Sequence, residues 1–154
     1  MAQTEHDTEL GSLLPFMLNK IMRVLNGELD RSLQEHGLST AEWRVMATLG
    51  FTDIDRPVAI AQFTSIDLST LSRTFDRLEA QGYVERAKPK GSRRGFSFSI
   101  TPSGRQALRL AGKIVRTQHD QLLVLLSKDQ IGPFLKGVST LYRALVQRPE
   151  LLSG

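Results

Sequence analysis

Arg73 and Arg77 sit one helical turn apart, with Ser69, Thr70, Ser72 and Thr74 before and between them. Further along, Arg93 and Arg94 stand together inside KPKGSRRG, bracketed by Gly91 and Gly95. A guanidinium is permanently charged and presents a planar fork of donors. It can bind a phosphate or grip the O6 and N7 edge of a guanine with two hydrogen bonds. Serine and threonine hydroxyls reach phosphates or base edges. The chemistry on offer is recognition of a polyanion, not bond-making. The same arginines could instead form an ordinary solvated face, Arg73 pairing with Asp76 and Arg77 with Asp76 or Glu79. An isolated arginine pair reads first as a solvated hairpin tip.

Catalysis finds little support. His6, His36 and His119 have no ligand spacing with one another, which argues against a metal site. No phosphate-cradling glycine loop follows a strand, and serines and histidines are too scattered for a triad. The chain has no cysteine, so it carries no disulfide or thiol switch. Neither an enzyme nor a cofactor is expected.

Charge is more telling. The net formal charge is +4, but Arg73 to Arg109 holds nine basic residues against three acidic ones, leaving the rest of the chain at −2. Concentrated positive charge points to a polyanionic partner. With 154 residues, 40% hydrophobic and 23% charged, the chain has the size and composition of one ordinary globular domain. No apolar run approaches the ~20 residues of a membrane helix. The acidic, polar start MAQTEHDTELGS does not suit a signal peptide. A cytoplasmic location is expected.

The elements that must position these arginines follow from periodicity. Leu10, Leu13, Leu14, Met17, Leu18, Ile21, Leu25 and Leu29 recur at helical spacing over 10–33. Phe16, Met22 and Val24 widen that stripe beyond one face. Ser39 and Glu42 form a capping-box pattern for a helix over about 40–50. Pro57 opens a short helix over 57–65 carrying Val58, Ala61 and Phe63. After a tight turn, Asp67 caps a helix over about 68–81 that turns Leu68, Leu71, Phe75 and Leu78 inward and ends at Gly82. YVERA and FSFSI read as two strands joined by the basic loop, with Phe96, Phe98 and Ile100 facing the core. Two further helices, about 102–127 and 128–147, complete the chain.

With Leu68 to Leu78 inward, Thr70, Arg73 and Arg77 fall on the opposite face, Ser69 and Thr74 beside them. A short helix, a tight turn and this second helix make a helix-turn-helix, whose second helix reads the major groove. The basic hairpin behind it is then a wing, placing Arg93 or Arg94 where a narrow minor groove attracts arginine.

LSTLSRTFDRLEAQGYVERAKPKGSRRGFSFSITPSG resembles the winged-helix core of the MarR family of bacterial transcription regulators, and Leu38 to Val45 resembles that family's second helix. The resemblance extends over nearly the whole chain. It implies a mainly α fold: a winged helix-turn-helix core with a two-stranded β-wing, flanked by N- and C-terminal helices that form a dimerisation region. The expected division is 1–35 for the N-terminal dimerisation helix, 36–101 for the DNA-binding domain and 102–154 for the C-terminal dimerisation helices. It also implies DNA contacts by Ser69, Thr70, Ser72, Arg73 and Arg77, Ser72 lying nearest the core. Arg94 takes the place of the family's groove-inserting arginine, while Ser92 stands where relatives carry aspartate. The implied protein is a homodimer that binds an inverted-repeat operator in double-stranded DNA, commonly as a repressor. A small, often aromatic and anionic effector would release it, with Lys20, Arg23, His36, Trp43 and Arg44 near its site. The bland reading is core packing for Trp43 and solvated surface for Lys20, Arg23 and His36. The alternative to operator binding is a dimeric winged-helix module that uses the same hairpin to bind protein or RNA.

Overall fold

The computed structural model describes residues 12–87 and 96–146. The predicted order is observed: α1 Leu14–Gln34, α2 Thr40–Phe51, α3 Pro57–Thr64, α4 Leu68–Ala80, β1 Val84–Ala87, β2 Ser97–Ile100, α5 Pro102–Leu123 and α6 Lys128–Leu145. The chain divides into two compact units, Met1–Val115 and Arg116–Gly154, with the boundary inside α5.

Local chemistry sets the helix ends. Ser39 Oγ accepts the Glu42 amide at 3.2 Å while Glu42 Oε2 accepts the Ser39 amide at 2.6 Å, the reciprocal capping box that starts α2. Pro57 lies in the first turn of α3, where its missing N–H leaves no hydrogen bond unmade. The α3–α4 turn passes through Ser65, left-handed at φ 56°. Asp67 then caps α4, accepting the Thr70 amide at 2.9 Å. At the far end Gly82 takes φ 69°. Its amide donates to Glu79 O and that of Tyr83 to Leu78 O, both at 2.9 Å, which satisfies the last carbonyls of α4.

One hydrophobic core fills the first unit. It takes Leu29 and Leu33 from α1, Val45 and Met46 from α2, Ile60 and Ala61 from α3, and Leu71, Phe75 and Leu78 from α4. The hairpin adds Val84, Phe98 and Ile100, and the first half of α5 adds Leu108 and Ala111. A fully buried leucine or phenylalanine is worth about 1.5–3 kcal/mol, so this shared cluster fixes the hairpin against α4. Phe75 and Phe98 stack with ring centroids 3.6 Å apart.

The inward faces differ from expectation in four places. Leu68 is 56% exposed, and Thr74 is buried in its stead. Thr74 tolerates burial because its hydroxyl donates to Thr70 O at 2.8 Å, leaving its methyl to pack. In α3 the buried residues are Ile60 and Ala61, while Val58 and Phe63 are exposed. Phe96 lies on the rim, edge-on to Phe98. Ser72 is exposed instead of flanking the core.

β1 and β2 pair antiparallel with Val84 opposite Ile100 and Arg86 opposite Phe98. The Phe98 amide also donates to Asp55 O at 2.9 Å, joining the strand to the α2–α3 connector. Beyond β2, Thr101 Oγ1 and Ser103 Oγ each donate to Gly82 O at 2.7 Å, and the Thr101 amide to Tyr83 O at 3.0 Å. Gly104 packs so closely here that a Cβ would lie 2.1 Å from Tyr83 O.

In the second unit the long helix stops sooner than the expected 127. Ser127 donates its amide and hydroxyl to Gln130 Oε1, at 3.0 and 2.9 Å, starting α6 and breaking the helical run. Among the described residues no helix is long and apolar enough to cross a membrane.

Candidate nucleic-acid interface

Helix α4 presents one face to the core through Leu71, Thr74, Phe75 and Leu78, and exposes Ser69, Thr70, Ser72, Arg73 and Arg77. All five helix residues picked from the sequence therefore share the solvent side of one element. Their electrostatics are not uniform. The Asp67 carboxylate sits at the positive end of the helix. The Ser69 hydroxyl, then the Thr70 amide, hold it well below its ordinary pKa of 3.8. Ser69 donates to Asp67 Oδ1 at 2.5 Å, so its proton is committed to the cap and only its lone pairs face outward. Among the described residues Arg73 has no ion pair or hydrogen bond through its side chain.

Arg77 is different. Its Nε lies 3.2 Å from Glu42 Oε1, an acid only 1% exposed, and not beside Asp76 or Glu79 as its neighbours in sequence suggest. Glu42 reads in the sequence as a cap alone. The signal that would have revealed its second role is that a buried carboxylate has two oxygens, and the cap uses one.

A further residue was not anticipated. Arg86, opposite Phe98 in the hairpin, lays its guanidinium 4.2 Å over Phe96 and 5.2 Å over Phe98, and reaches Glu79 of α4 at 3.3 Å. It braces the wing base against the reading helix. Strand alternation in YVERA carries the only hint, since it puts Arg86 on the face away from Glu85. The loop residues Arg93 and Arg94, with Gly91, Ser92 and Gly95, lie outside the described residues.

The five residues suggested for an effector do not converge on one wall. Trp43 and Arg44 line a cavity of about 410 Å³ together with Ala47, Phe51 and Phe63. Arg44 donates to Asn26 Oδ1 at 3.1 Å. Lys20 instead stands 4.7 Å over the Phe16 ring, Arg23 is exposed on α1, and His36 Nδ1 contacts Ser32 O at the end of that helix. Among the described residues no cluster of histidine and carboxylate side chains could hold a metal ion.

Comparison with known proteins agrees with this geometry. Residues 36–95 match the family model described as MarR family. The chain is 26% identical over 120 residues to the multiple antibiotic resistance protein MarR of Escherichia coli (strain K12), covering 75% of this chain and 83% of that one. It is 28% identical over 136 residues to the HTH-type transcriptional regulator PecS of Dickeya dadantii (strain 3937), covering 86% and 77%. Among solved structures, a MarR-family transcriptional regulator from Silicibacter pomeroyi superposes with a TM-score of 0.72 at 28% identity, over 88% of this chain and 93% of that one. The transcriptional repressor CouR, bound to a 23-mer DNA duplex, gives 0.76 at 26% identity, over 87% and 95%. PecS and the Silicibacter pomeroyi protein are named as transcriptional regulators, and CouR as a repressor. Winged core, capped reading helix and relatives concur: over residues 36–95 the chain is similar to the MarR family of transcriptional regulators.

Proposed function

We propose that this protein is a homodimeric repressor that reads an inverted repeat in double-stranded DNA and is released by a small aromatic, anionic effector. The observation that carries the DNA reading is the outer face of α4. There Arg73 stands unpaired among the described residues, beside Thr70 and Ser72, just past the helix-turn-helix corner. Ser69, Thr70, Ser72 and Arg73 are assigned to the major groove, and Arg93 and Arg94 to the flanking minor groove. CouR, which shares this fold, has been captured on a duplex. That is support by likeness.

Dimerisation is supported by apolar surface. Leu14, Met17, Leu18 and Ile21 of α1 are exposed, as are Leu135, Val138, Leu141 and Leu145 of α6. Apolar stripes this long call for a partner, and segments 1–35 and 102–154 are assigned to that role. Two copies reading half-sites about one helical turn apart would match an inverted repeat. For the effector, Trp43 and Arg44 are the favoured contacts, because they share a cavity wall with Phe51 and Phe63.

The test is selection of duplexes from a random library by the purified protein, followed by affinity against salt. A reader neutralising about 6–10 phosphates loses roughly 10³–10⁵ in affinity between 50 and 200 mM salt. The selected sites should be symmetric, the protein dimeric in sedimentation, and benzoate-type carboxylates should dissolve the complex. A monomer, or indifference to duplex symmetry, overturns the reading and favours a protein- or RNA-binding module.

A further inference from the structure

Glu42 is buried, and its two oxygens serve two elements. Oε2 accepts the Ser39 amide at 2.6 Å and closes the cap of α2. Oε1 is the one buried side-chain oxygen among the described residues that accepts no hydrogen bond. What faces it is Arg77 Nε at 3.2 Å, close enough for an ion pair although the N–H is poorly aligned with it. Leaving a buried carboxylate oxygen without a donor is unfavourable. The guanidinium charge is therefore what makes the burial of this acid tolerable.

The junction of α1 and α2 is tied to two more places. Asp30 of α1 accepts from the Thr40 amide at 3.0 Å and from the Thr40 hydroxyl at 3.1 Å. Gln81, just past α4, donates to Gly37 O at 3.3 Å. Three helices thus meet at one polar joint, and Arg77 is the contribution of the reading helix to it.

We infer that Arg77 is a positioning residue. Its charge holds Glu42, and through Glu42 the roll and tilt of α4 on α2, so that Arg73 and the α4 hydroxyls meet base edges in register. It does not itself read a base or anchor a phosphate. This assignment rests on the DNA-binding reading above and departs from the sequence expectation that Arg77 touches DNA. Arg77 is 63% exposed on its side chain, so burial does not force the choice; the assignment rests on its Nε facing Glu42 at 3.2 Å. Base readout needs donor–acceptor distances held near 2.7–3.2 Å, whereas phosphate contacts carry no sequence information. Loosening α4 should therefore erase discrimination and spare general affinity.

The experiment compares wild type, Arg77→Ala, Glu42→Gln and the double variant. Each is titrated with the duplex selected by wild type and with a random duplex of equal length, across a salt series. The expected result is a fall of at least tenfold in affinity for the selected duplex in both single variants. Random-duplex affinity should change less than threefold, the salt slopes should match wild type, and the double variant should be no worse than the singles. Glu42 is the decisive partner because, at 1% exposure, it cannot touch DNA.

Two results would overturn the assignment. If Arg77→Ala weakens both duplexes alike and flattens the slope by about 0.9, the arginine neutralises a phosphate. If Arg77→Ala loses discrimination while Glu42→Gln keeps it, the arginine reads a base. Should Glu42→Gln fail to fold, Arg77→Met decides between positioning and phosphate contact by the slope and the random-duplex affinity, since it keeps the aliphatic stem on an exposed surface. A wild type that selects no duplex fails at an earlier step and overturns the DNA reading together with this one.

Discussion

Replacing Gly104 by alanine separates packing from helix propensity, because the two predict opposite signs. Gly104 lies in the first turn of α5, and alanine there would ordinarily stabilise a helix by up to about 1 kcal/mol. The structure forbids it. The added Cβ would stand 2.1 Å from Tyr83 O and 2.9 Å from Ile100 Cγ1, and the first of these is backbone that cannot swing aside. Relief requires moving α5 away from β1 by about 1 Å. That strains the bonds from Thr101 and Ser103 to Gly82 O and Tyr83 O. Overpacking of this kind costs about 1–3 kcal/mol, and each weakened hydrogen bond adds about 0.5–1.5 kcal/mol. With three such bonds the sum is about 2.5–7.5 kcal/mol, a large part of the 5–15 kcal/mol typical of a folded domain. At about 2–4 °C per kcal/mol for a chain of this size, thermal unfolding followed by circular dichroism should shift down by roughly 5–30 °C. Gly27 in α1 is the control, since a Cβ there meets nothing within 4 Å. Gly27→Ala should hold or raise the melting point. A Gly104→Ala variant as stable as wild type would refute the close-approach reasoning.

Ser65 is the only non-glycine residue with positive φ among those described, so Ser65→Gly should relieve left-handed strain and stabilise by about 1 kcal/mol in a denaturant melt. The Asp67 carboxylate is held below its ordinary pKa by Ser69 and Thr70. Its stabilising effect is present above 3.8 and is lost as pH falls through the lowered value, because the unfolded chain takes the proton first. The melting-point gap between wild type and Asp67→Ala should therefore be constant near neutrality and close on acidification below pH 4. A gap unchanged at pH 2 would contradict the capping role. Arg73→Ala should relax base preference at one operator position, by about 1–3 kcal/mol if the contact is bidentate to guanine. Arg94→Ala should instead weaken binding evenly across sequences. A gel-shift series showing no loss for Arg94→Ala would remove the wing from the interface.

Elements whose causes are local were legible in the chain itself. Ser39 with Glu42, Pro57, Asp67 and Gly82 each act on backbone groups a few residues away, so spacing alone located the ends of α2, α3 and α4. The alternation in FSFSI likewise placed Phe98 and Ile100 in the core. What escaped depends on contacts remote in sequence. An idealised wheel on α4 turned Leu68 inward because leucine is apolar. It cannot register that the first turn overhangs the edge of the core, or that Thr74 can bury its methyl once its hydroxyl bonds to Thr70. Rules for neighbouring charges paired Arg77 with Asp76 or Glu79. Only the packing of α4 on α2 brings it to Glu42. Arg86 escaped for the same reason, since its partners, Glu79 and the two phenylalanines, come from separate elements.

The bond from the Phe98 amide to Asp55 O ties the link between α2 and α3 to the outer border of the hairpin. Surface links usually absorb insertions and deletions freely. This one should not, because lengthening it would peel one border of the hairpin. A change of length in a segment outside the reading helix should thus alter how the hairpin sits on the core.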